Sequence, residues 1–465
     1  MLLAVALAAA IGLTAVPAQA STSQRSVFED DHLLLNSGDA LREQTLDDIK
    51  ALGADTVHVL VIWNKLAPAP NASKKPAFDA SDPDAYTGWG PWDAVVAGAQ
   101  ARGLKVLLTP TGPAPTWASL CKGSVSYRKH CSPRVSDWSA FVQAVAARYP
   151  TVHEWSFWNE PNHTSWLVPQ TGTSLGVKVN LAATRYRKLV LAATKALGQT
   201  GHGSDTVLMG ETAPLGGSHS TAPVDFYREL FCLDRSYHPF TGRAARARGC
   251  SARPHFYVDG VSHHPYAFAG IAKPSVLGRA SDAPIGALGR IVTVLDHAAR
   301  YRIVPRRLPL WLTEFGYQTH PPDPFGVSLA QQARYINEAD YIAYMNPRVA
   351  SVAQYTLRDD PSRGGFNTGL EFAKGRPKPA LAAYALPIWV VRTAHGHGKV
   401  FGQVRAAGGR VVTAAVQHRA SGRAAWRTVT RVRTNRAGYF LRGFGHIAGQ
   451  WRLKYGARYS RSASA

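Results

Sequence analysis

Two glutamates stand where apolar runs of the sequence end. Glu160 closes the aromatic stretch within Val152–Trp166, VHEWSFWNEPNHTSW, and Pro161 stops a strand there because proline has no amide hydrogen to donate. Glu314 closes a second run, LPLWLTEFGY, which Gly316 interrupts. Paired carboxylates are suited to acid–base and nucleophilic chemistry. Because these two are far apart in sequence, they need a fold that brings strand ends together, and in a parallel barrel all strand ends share one face.

The flanking sequence predicts the elements of such a barrel. Short β-branched or aromatic runs alternate with segments of helical periodicity, which is typical of βα units. The predicted strands are 26–35, 56–63, 104–109, 152–160, 206–210, 258–266, 308–315 and 349–357. The predicted helices are 40–52, 92–102, 135–149, 181–197, 224–233, 285–301, 329–345 and 378–388. Eight units in this order predict an α/β fold, a (β/α)8 TIM barrel over residues 26–390 with long loops.

The sequence changes character beyond about Ala394. Five or more short runs with a period of two, separated by glycine turns, predict a small antiparallel β-sandwich of immunoglobulin-like type over residues 395–458. The last segment, 459–465, is predicted to be a disordered tail. The C-terminal region is also strongly basic, since 391–465 contains no Asp or Glu.

The Asn159-Glu160-Pro161 tripeptide behind an aromatic strand, together with Glu314, resembles the glycoside hydrolases of clan A, most of all families 5 and 39. The resemblance covers roughly residues 26–390. It implies a retaining glycosidase in which Glu160 is the acid/base and Glu314 the nucleophile. Retaining enzymes hold two such carboxyl groups roughly 5–5.5 Å apart, so that one protonates the departing oxygen while the other attacks the anomeric carbon.

The same resemblance implies further binding residues. Asn159 is expected to bind a sugar 2-hydroxyl, and the segment His264-Pro265-Tyr266 matches a His-x-Tyr in which the tyrosine orients the nucleophile. His264 is then expected to contact substrate. Aromatic rings at strand ends can stack on sugars, so Trp63, Trp117 and Tyr355 are candidate platforms, and Trp89 and Trp166 share their setting in the βα loops.

Two departures from the clan pattern leave the exact family and the sugar open. Strand 2 ends in Trp63-Asn64 where many family 5 members have an arginine, and strand 8 offers Tyr355 where many clan members have a tryptophan. Other carboxylates also remain candidates. Glu154 lies in mid-strand, Glu211 ends strand 5 and could line the cleft, and Glu371 follows strand 8.

Composition indicates an exported protein. The apolar run 1–20 ends in an A-x-A pattern and is interpreted as a signal peptide, although it lacks a basic start. The four cysteines fit two disulfides. Sequence proximity favours Cys121–Cys131 and Cys232–Cys250, although three pairings are possible. We therefore expect a secreted monomer that has no membrane contact once the signal is removed; the alternative is that the run stays as an N-terminal anchor.

The net charge of +23 restricts the partners. Its concentration at the C-terminus either reflects an arginine-rich genome or attracts an anionic cell-wall polymer or acidic glycan. The expected substrate is a carbohydrate. No nucleic-acid partner, metal site or cofactor is expected, since no phosphate-binding glycine motif is present. Two alternatives remain: a non-catalytic glycan-binding barrel, and an inverting hydrolase or transglycosylase on the same barrel.

Overall fold

The computed structural model describes residues 20–362 and 364–465, so the predicted signal peptide lies almost entirely outside the described residues. Eight parallel strands close into a barrel. The barrel strands are β1 (Arg25–Glu29), β2 (Thr56–Ile62), β3 (Lys105–Thr111), β4 (Glu154–Trp155), β5 (Thr206–Thr212), β6 (Gly260–His263), β7 (Leu310–Leu312) and β8 (Val349–Tyr355). Each pairs with its sequence neighbour, and β8 pairs with β1 to close the ring. The predicted TIM barrel is confirmed.

A helix follows each barrel strand and covers the outside of the barrel. These helices are α1 (Asp39–Ala51), α2 (Gly90–Ala101), α3 (Val135–Arg148), α4 (Leu181–Gln199), α5 (Pro223–Leu230), α6 (Gly289–Arg300), α7 (Leu329–Tyr344) and α8 (Pro379–Ala385). Short helices also occupy loops, at Asp31–Leu35, Trp63–Leu66, Val125–His130 and Gly242–Arg248. The apolar face of each helix packs on the strands, and this packing forms the main hydrophobic core.

The C-terminal region forms two antiparallel sheets. One contains β9 (Ile388–Arg392), β10 (Gly398–Gln403) and β13 (Tyr439–Phe444). The other contains β11 (Thr413–Arg419), β12 (Arg427–Arg433), β14 (Gln450–Tyr455) and β15 (Arg458–Tyr459). The predicted sandwich is confirmed, but it begins at Ile388, earlier than predicted. Ile388 pairs with Gly402 as part of β9, so the predicted last barrel helix ends too late.

The prediction of a disordered tail is wrong, because the C-terminal residues make ordered contacts. Ala463 is buried and exchanges two backbone hydrogen bonds of 2.8 Å with Trp451. Arg461 reaches back to the barrel, where its Nε donates to Asn337 Oδ1 at 2.8 Å. A short polar and alanine-rich end has the composition of a disordered segment, but these long-range contacts hold it in place.

Two disulfides close loops of the barrel domain. They join Cys121 to Cys131 and Cys232 to Cys250, the pairing that sequence proximity favours. The first lies in the long loop after β3 and the second after α5. Within the described ranges, the helices are all too short or too polar to traverse a lipid bilayer.

Candidate active site

The carboxyl ends of the barrel strands surround an open cleft of about 830 Å³. Glu160, Glu314, Asn159, Tyr266 and Tyr355 all line it. The cleft therefore brings together the two predicted catalytic glutamates with three of their six predicted partners. The other three, His264, Trp63 and Trp117, lie beneath or beside it.

Glu160 sits at the turn that ends the β4 segment. The backbone continues to pair with β3 beyond the short ladder, as Trp158 N donates to Pro110 O at 3.0 Å. Glu160 then takes a left-handed φ of 36°, and its amide donates to Glu211 O at 2.9 Å. A non-glycine residue with positive φ costs on the order of 1–3 kcal/mol, so the surrounding structure must hold it there. This turn aims the carboxylate into the cleft, where its side chain keeps 18% exposure.

Glu314 follows β7 and is held by a tyrosine. Tyr266 Oη donates to Glu314 Oε2 at 2.9 Å, the contact expected of an orienting residue. Burial raises the pKa of Glu314 well above its usual range; His264 opposes that shift, while Glu29 and Glu160 add to it. A glutamate buried beside other carboxylates in this way favours its protonated form, and the neighbouring His264 is the group that favours its ionised form.

His264 lies beneath both carboxylates. Its Nδ1 is 3.2 Å from Glu160 Oε1 and 3.3 Å from Glu314 Oε1. The expectation that it contacts substrate is wrong, because the side chain is completely buried. A period of two placed His264 and Tyr266 on one face, but did not tell how deep each lies. His264 therefore bridges the two glutamates from below the cleft.

The charge on His264 is set by a third carboxylate. His264 Nε2 is 2.7 Å from Glu211 Oε2, so both ring nitrogens face carboxylates and both act as donors in the imidazolium form. Burial lowers the pKa of His264, but Glu314, Glu160 and Glu211 outweigh it and raise the pKa well above its usual value. Burial likewise raises the pKa of Glu211, but His58 and His264 outweigh it and hold the pKa at about 2. Glu211 is fully buried below the cleft, so its predicted place in the lining is also a correction.

The asparagines beside Glu160 divide into a lining residue and an anchor. Asn159 lines the cleft, and its side-chain oxygen accepts no hydrogen bond from the described residues. Asn162 is buried; its Nδ2 donates to Ala213 O at 2.9 Å, and its Oδ1 accepts from Ala213 N at 2.8 Å. Asn162 thus ties the loop that carries Glu160 to the end of β5.

Two of the predicted aromatic platforms, Trp63 and Trp117, do not face the cleft, so that prediction is wrong. Trp63 is completely buried and stacks on Phe141, with 5.2 Å between ring centroids. Trp117 is also buried and meets Trp63 edge to face at 6.0 Å. Neither offers a ring face to a ligand, because the helix Trp63–Leu66 and the short 3-10 helix Thr116–Ala118 each turn their tryptophan into an aromatic core. Tyr355 lines the cleft, half-buried.

Another group of aromatic side chains does line the cleft. Trp166 is half-buried there, Phe366 is 49% exposed and Phe325 is 84% exposed. Of these three, only Trp166 is identified from the sequence. Phe325 and Phe366 lie in loops whose course over the barrel mouth has no local sequence signal, so sequence reasoning missed them.

The remaining alternative glutamates lie away from the cleft. Glu154 is at the amino end of the barrel, where it pairs with Arg25 and with Lys105. Glu371 pairs with Arg358 at 2.8 Å and lines a separate depression between the barrel and the sandwich. Neither can act on a group bound beside Glu160.

Sequence reasoning also missed two acidic residues. Glu29 ends β1 and Asp31 begins the helix after it, and both line the cleft. The sequence predicts one continuous strand over 26–35, which hides the strand end at Glu29. The rule that identified Glu160 and Glu314, a carboxylate at the end of an apolar run, applies equally to Glu29 and was the available signal.

Comparison with solved structures finds the same fold. The chain is similar to a family 39 glycoside hydrolase from the gut symbiont Bacteroides cellulosilyticus WH2, at 14% identity and a TM-score of 0.55, over 94% of this chain and 81% of that one. Weaker similarity links it to GH5_18 from Streptomyces cattleya in complex with GlcNAc, at 18% identity, TM-score 0.47 and 79% of each chain. It is also similar to a β-glucuronidase from Bacteroides uniformis, at 11% identity and TM-score 0.44, over 96% of this chain and 45% of that one.

Sequence comparison adds no assignment. No family model matches this chain. No curated protein matches it either. The similarity to the family 39 structure is therefore one of fold, a (β/α)8 barrel.

Proposed function

We propose that this chain is an exported, monomeric glycoside hydrolase that cleaves O-glycosidic bonds, most simply β bonds, with retention of configuration. Glu160 is the acid/base and Glu314 the nucleophile. The observation that carries the proposal is the bridge at His264, whose Nδ1 lies within 3.3 Å of an oxygen of each glutamate. Because both distances start at the same nitrogen, Glu160 Oε1 and Glu314 Oε1 lie no farther apart than the sum of 3.2 and 3.3 Å. This favours the closer spacing of retaining enzymes over the roughly 6.5–9.5 Å of inverting ones.

In the first step, Glu314 attacks the anomeric carbon and forms a glycosyl ester. The bond to the glycosidic oxygen breaks, and Glu160 gives its proton to that oxygen so that the leaving group departs as an alcohol. Tyr266 stays a donor to Glu314 Oε2, since burial and the charge of Glu314 raise the pKa of its phenol well above the usual value. This hydrogen bond holds the nucleophile in the attacking orientation.

In the second step, water replaces Glu314. Glu160, left as a carboxylate by the first step, takes a proton from the water that attacks the anomeric carbon. Glu314 leaves as a carboxylate. Two displacements on opposite faces restore the original configuration. Buried His264 stays beneath both residues throughout and limits how far either can move.

The direct test is a panel of soluble glycans and aryl glycosides incubated with the purified protein, with NMR used to identify the first anomer released. We expect at least one substrate to be cleaved with retention. An inverted first product would assign an inverting mechanism. No cleavage of any member, together with measurable glycan binding, would favour the non-catalytic barrel.

Replacing Glu160 by alanine should make the rate depend on the leaving group. We expect kcat/KM for natural glycosides to fall about 10³-fold, within the range of general acid catalysis. A dinitrophenyl glycoside needs no proton on its leaving oxygen and should lose far less in the first step. The measurement is kcat/KM against leaving-group pKa, which should be flat in the wild type and steep in the variant.

Glu154→Gln is the matched control, because Glu154 belongs to the same strand but lies at the opposite end of the barrel. It should keep the wild-type dependence on the leaving group per folded molecule. If Glu160→Ala lost the same factor on every substrate, Glu160 would not be the acid.

We further propose that the outer face of the second sheet binds an anionic polymer of the cell wall. Arg419 and Arg452 lie 4.6 and 4.3 Å from the Trp426 ring, which holds two guanidinium groups in place. Arg431 and Arg433 are exposed on the edge strand β12. The absence of Asp and Glu from 391–465 leaves this charge uncompensated within the segment.

A binding assay with a soluble teichoic acid should show affinity that decreases as salt is raised, because exposed charges are screened. Replacing Arg431 and Arg433 by glutamate should weaken binding strongly. The control replaces Arg306 and Arg307, which precede β7, by glutamate, because this changes the net charge by the same amount at a site away from the sandwich. Salt-independent binding, or an equal loss in both double variants, would contradict the assignment.

A further inference from the structure

The cleft contains more carboxylates than the proposed chemistry uses. Glu29, Asp31 and Asp323 line it in addition to Glu160 and Glu314. Among the described residues of the lining there is no lysine and no arginine. A chain with a net charge of +23 thus presents a cleft wall of the opposite sign.

Glu29 is the best-defined member of this group. Its side chain is 1% exposed, and its Oε2 lies 2.5 Å from His58 Nδ1. Glu29 lines the cleft, and its buried Oε2 accepts no hydrogen bond of regular geometry from the described residues. His58 Nε2 in turn contacts Thr109 Oγ1 at 2.8 Å, so the imidazole is held between β1 and β3 and fixes the carboxylate. Glu29 is therefore a preorganised acceptor.

Other acceptors nearby also lack donors. Asp31 Oδ1 and Asn159 Oδ1 are buried and accept no hydrogen bond from the described residues. Burial raises the pKa of Asp31 to about 6. Burial, with a contribution from Asp31, raises the pKa of Glu29 well above its usual range. A ligand that brings hydrogen-bond donors would pair these acceptors and would also lower the raised pKa values, because charge-assisted hydrogen bonds favour the ionised carboxylates.

We propose that Glu29 and Asp31 form a sugar subsite that binds ring hydroxyls and excludes sugars bearing an acid group. This inference rests on the proposed function only in taking the ligand to be a glycoside. A hydroxyl can donate to either carboxylate, and an added ammonium group is compatible with the same wall. A uronic acid or sulfated sugar brings a further negative charge into a cleft that is lined by five acidic side chains and, among the described residues, by no lysine or arginine, and like charges placed together are strongly disfavoured.

The test compares sugars that share a configuration and differ only in charge. The aryl β-glycosides of glucose, glucosamine and glucuronic acid form one set, and the matching galactose derivatives form another. We expect kcat/KM for the neutral or amino sugar to exceed that for the uronide by on the order of 100-fold or more in whichever set is cleaved. A uronide cleaved as well as its neutral counterpart would overturn the inference and leave the proposed function intact.

Two variants test the named residues. Asp31→Asn and Glu29→Gln should each lower kcat/KM for the neutral glycoside by about tenfold, as expected when a charge-assisted hydrogen bond becomes a neutral one. Each should also lower the ratio of kcat/KM for the neutral glycoside to kcat/KM for the uronide. Glu43→Gln removes the same charge from the surface of α1 and should change neither value. An unchanged preference in both cleft variants, with folding verified by circular dichroism, would contradict the assignment.

Binding separates this inference from the proposed function. Thermal unfolding is measured with glucose, glucosamine or glucuronate at equal ionic strength. We expect stabilisation by at least one of the first two and none by glucuronate. If no glycoside is cleaved but this selectivity is seen, the proposed function fails and the subsite stands. If glucuronate stabilises the protein most, or if no sugar is either bound or cleaved, the subsite is wrong.

Discussion

Replacing Glu314 by alanine should abolish measurable turnover, with a loss of kcat on the order of 10⁵-fold or more, the scale seen when a catalytic nucleophile is removed. The two buried glutamates nearby cannot take over. Glu211 is completely buried beneath His264, and Glu29 is fixed beside His58. Glu160 remains in place to protonate the leaving group, so the missing part of the reaction is the attack itself.

External azide should restore part of this activity. The shortened side chain leaves room beside Tyr266, and azide can attack the anomeric carbon while Glu160 protonates the departing oxygen. A single displacement inverts the configuration, so a β-glycoside should give an α-glycosyl azide, identified by NMR. With Glu160→Ala, azide should instead replace water in the second step and give a β-glycosyl azide.

These two products make the assignment of roles testable in both directions. Normal turnover by the Glu314→Ala variant would exclude Glu314 as the nucleophile. Recovery with the opposite pair of products would exchange the two roles. The Tyr266→Phe variant tests the support of the nucleophile, since it removes the hydrogen bond to Glu314 Oε2 and keeps the ring.

The position of Glu160 and Glu314 in the cleft was open to prediction because strand ends leave a local signature. At Glu160 and Glu314 an apolar run stops at a carboxylate, and the (β/α)8 topology places all such ends on one face. The orienting role expected of Tyr266 came from the resemblance of His264-Pro265-Tyr266 to the clan's His-x-Tyr segment. Placing the two glutamates needs only the knowledge that each follows a strand, since the carboxyl ends of all barrel strands lie on one face.

Depth and packing were not open to prediction. His264 shares a face with Tyr266 but lies completely buried, and Trp63 stands at a strand end yet stacks on Phe141 of α3. Both outcomes depend on contacts between segments that are distant in sequence. Glu29 was missed for a simpler reason, because its strand was extended through Asp30 and Asp31 into the helix Asp31–Leu35.

The sandwich is joined to the barrel through a buried ion pair. Arg405 follows β10 and donates to Asp340 Oδ1 on α7 at 2.6 Å, with side-chain exposures of 2% and 7%. Its Nη1 donates to Tyr384 O at 2.8 Å, and its guanidinium stacks over the Tyr384 ring at 4.0 Å. Gly53 lies against the Arg405 carbonyl so closely that a Cβ there would come within 2.2 Å of the oxygen. The two domains therefore share an interior.

Replacing Arg405 by methionine should destabilise the whole chain by about 3–5 kcal/mol, because Asp340 is left buried without its counter-charge. The pKa of Asp340 is already raised by burial despite Arg405, which shows how much its ionised form depends on this partner. The expected result is a lower midpoint in both thermal and urea unfolding, together with a loss of soluble protein. Cleft activity per folded molecule should remain close to that of the wild type.

A second replacement distinguishes loss of charge balance from loss of shape. The double variant Arg405→Met with Asp340→Leu removes both charges and should recover much of the lost stability, since a hydrophobic pair of similar volume can replace a buried ion pair. Removing the sandwich from Ile388 onward should lower the stability more than the single or the double variant does, because it exposes Asp340, Tyr344 and Tyr384 together. A truncated barrel that remained soluble, folded and fully active would show that the sandwich is an independent appendage. The shared interior at Arg405 argues that it is part of the fold that holds the cleft.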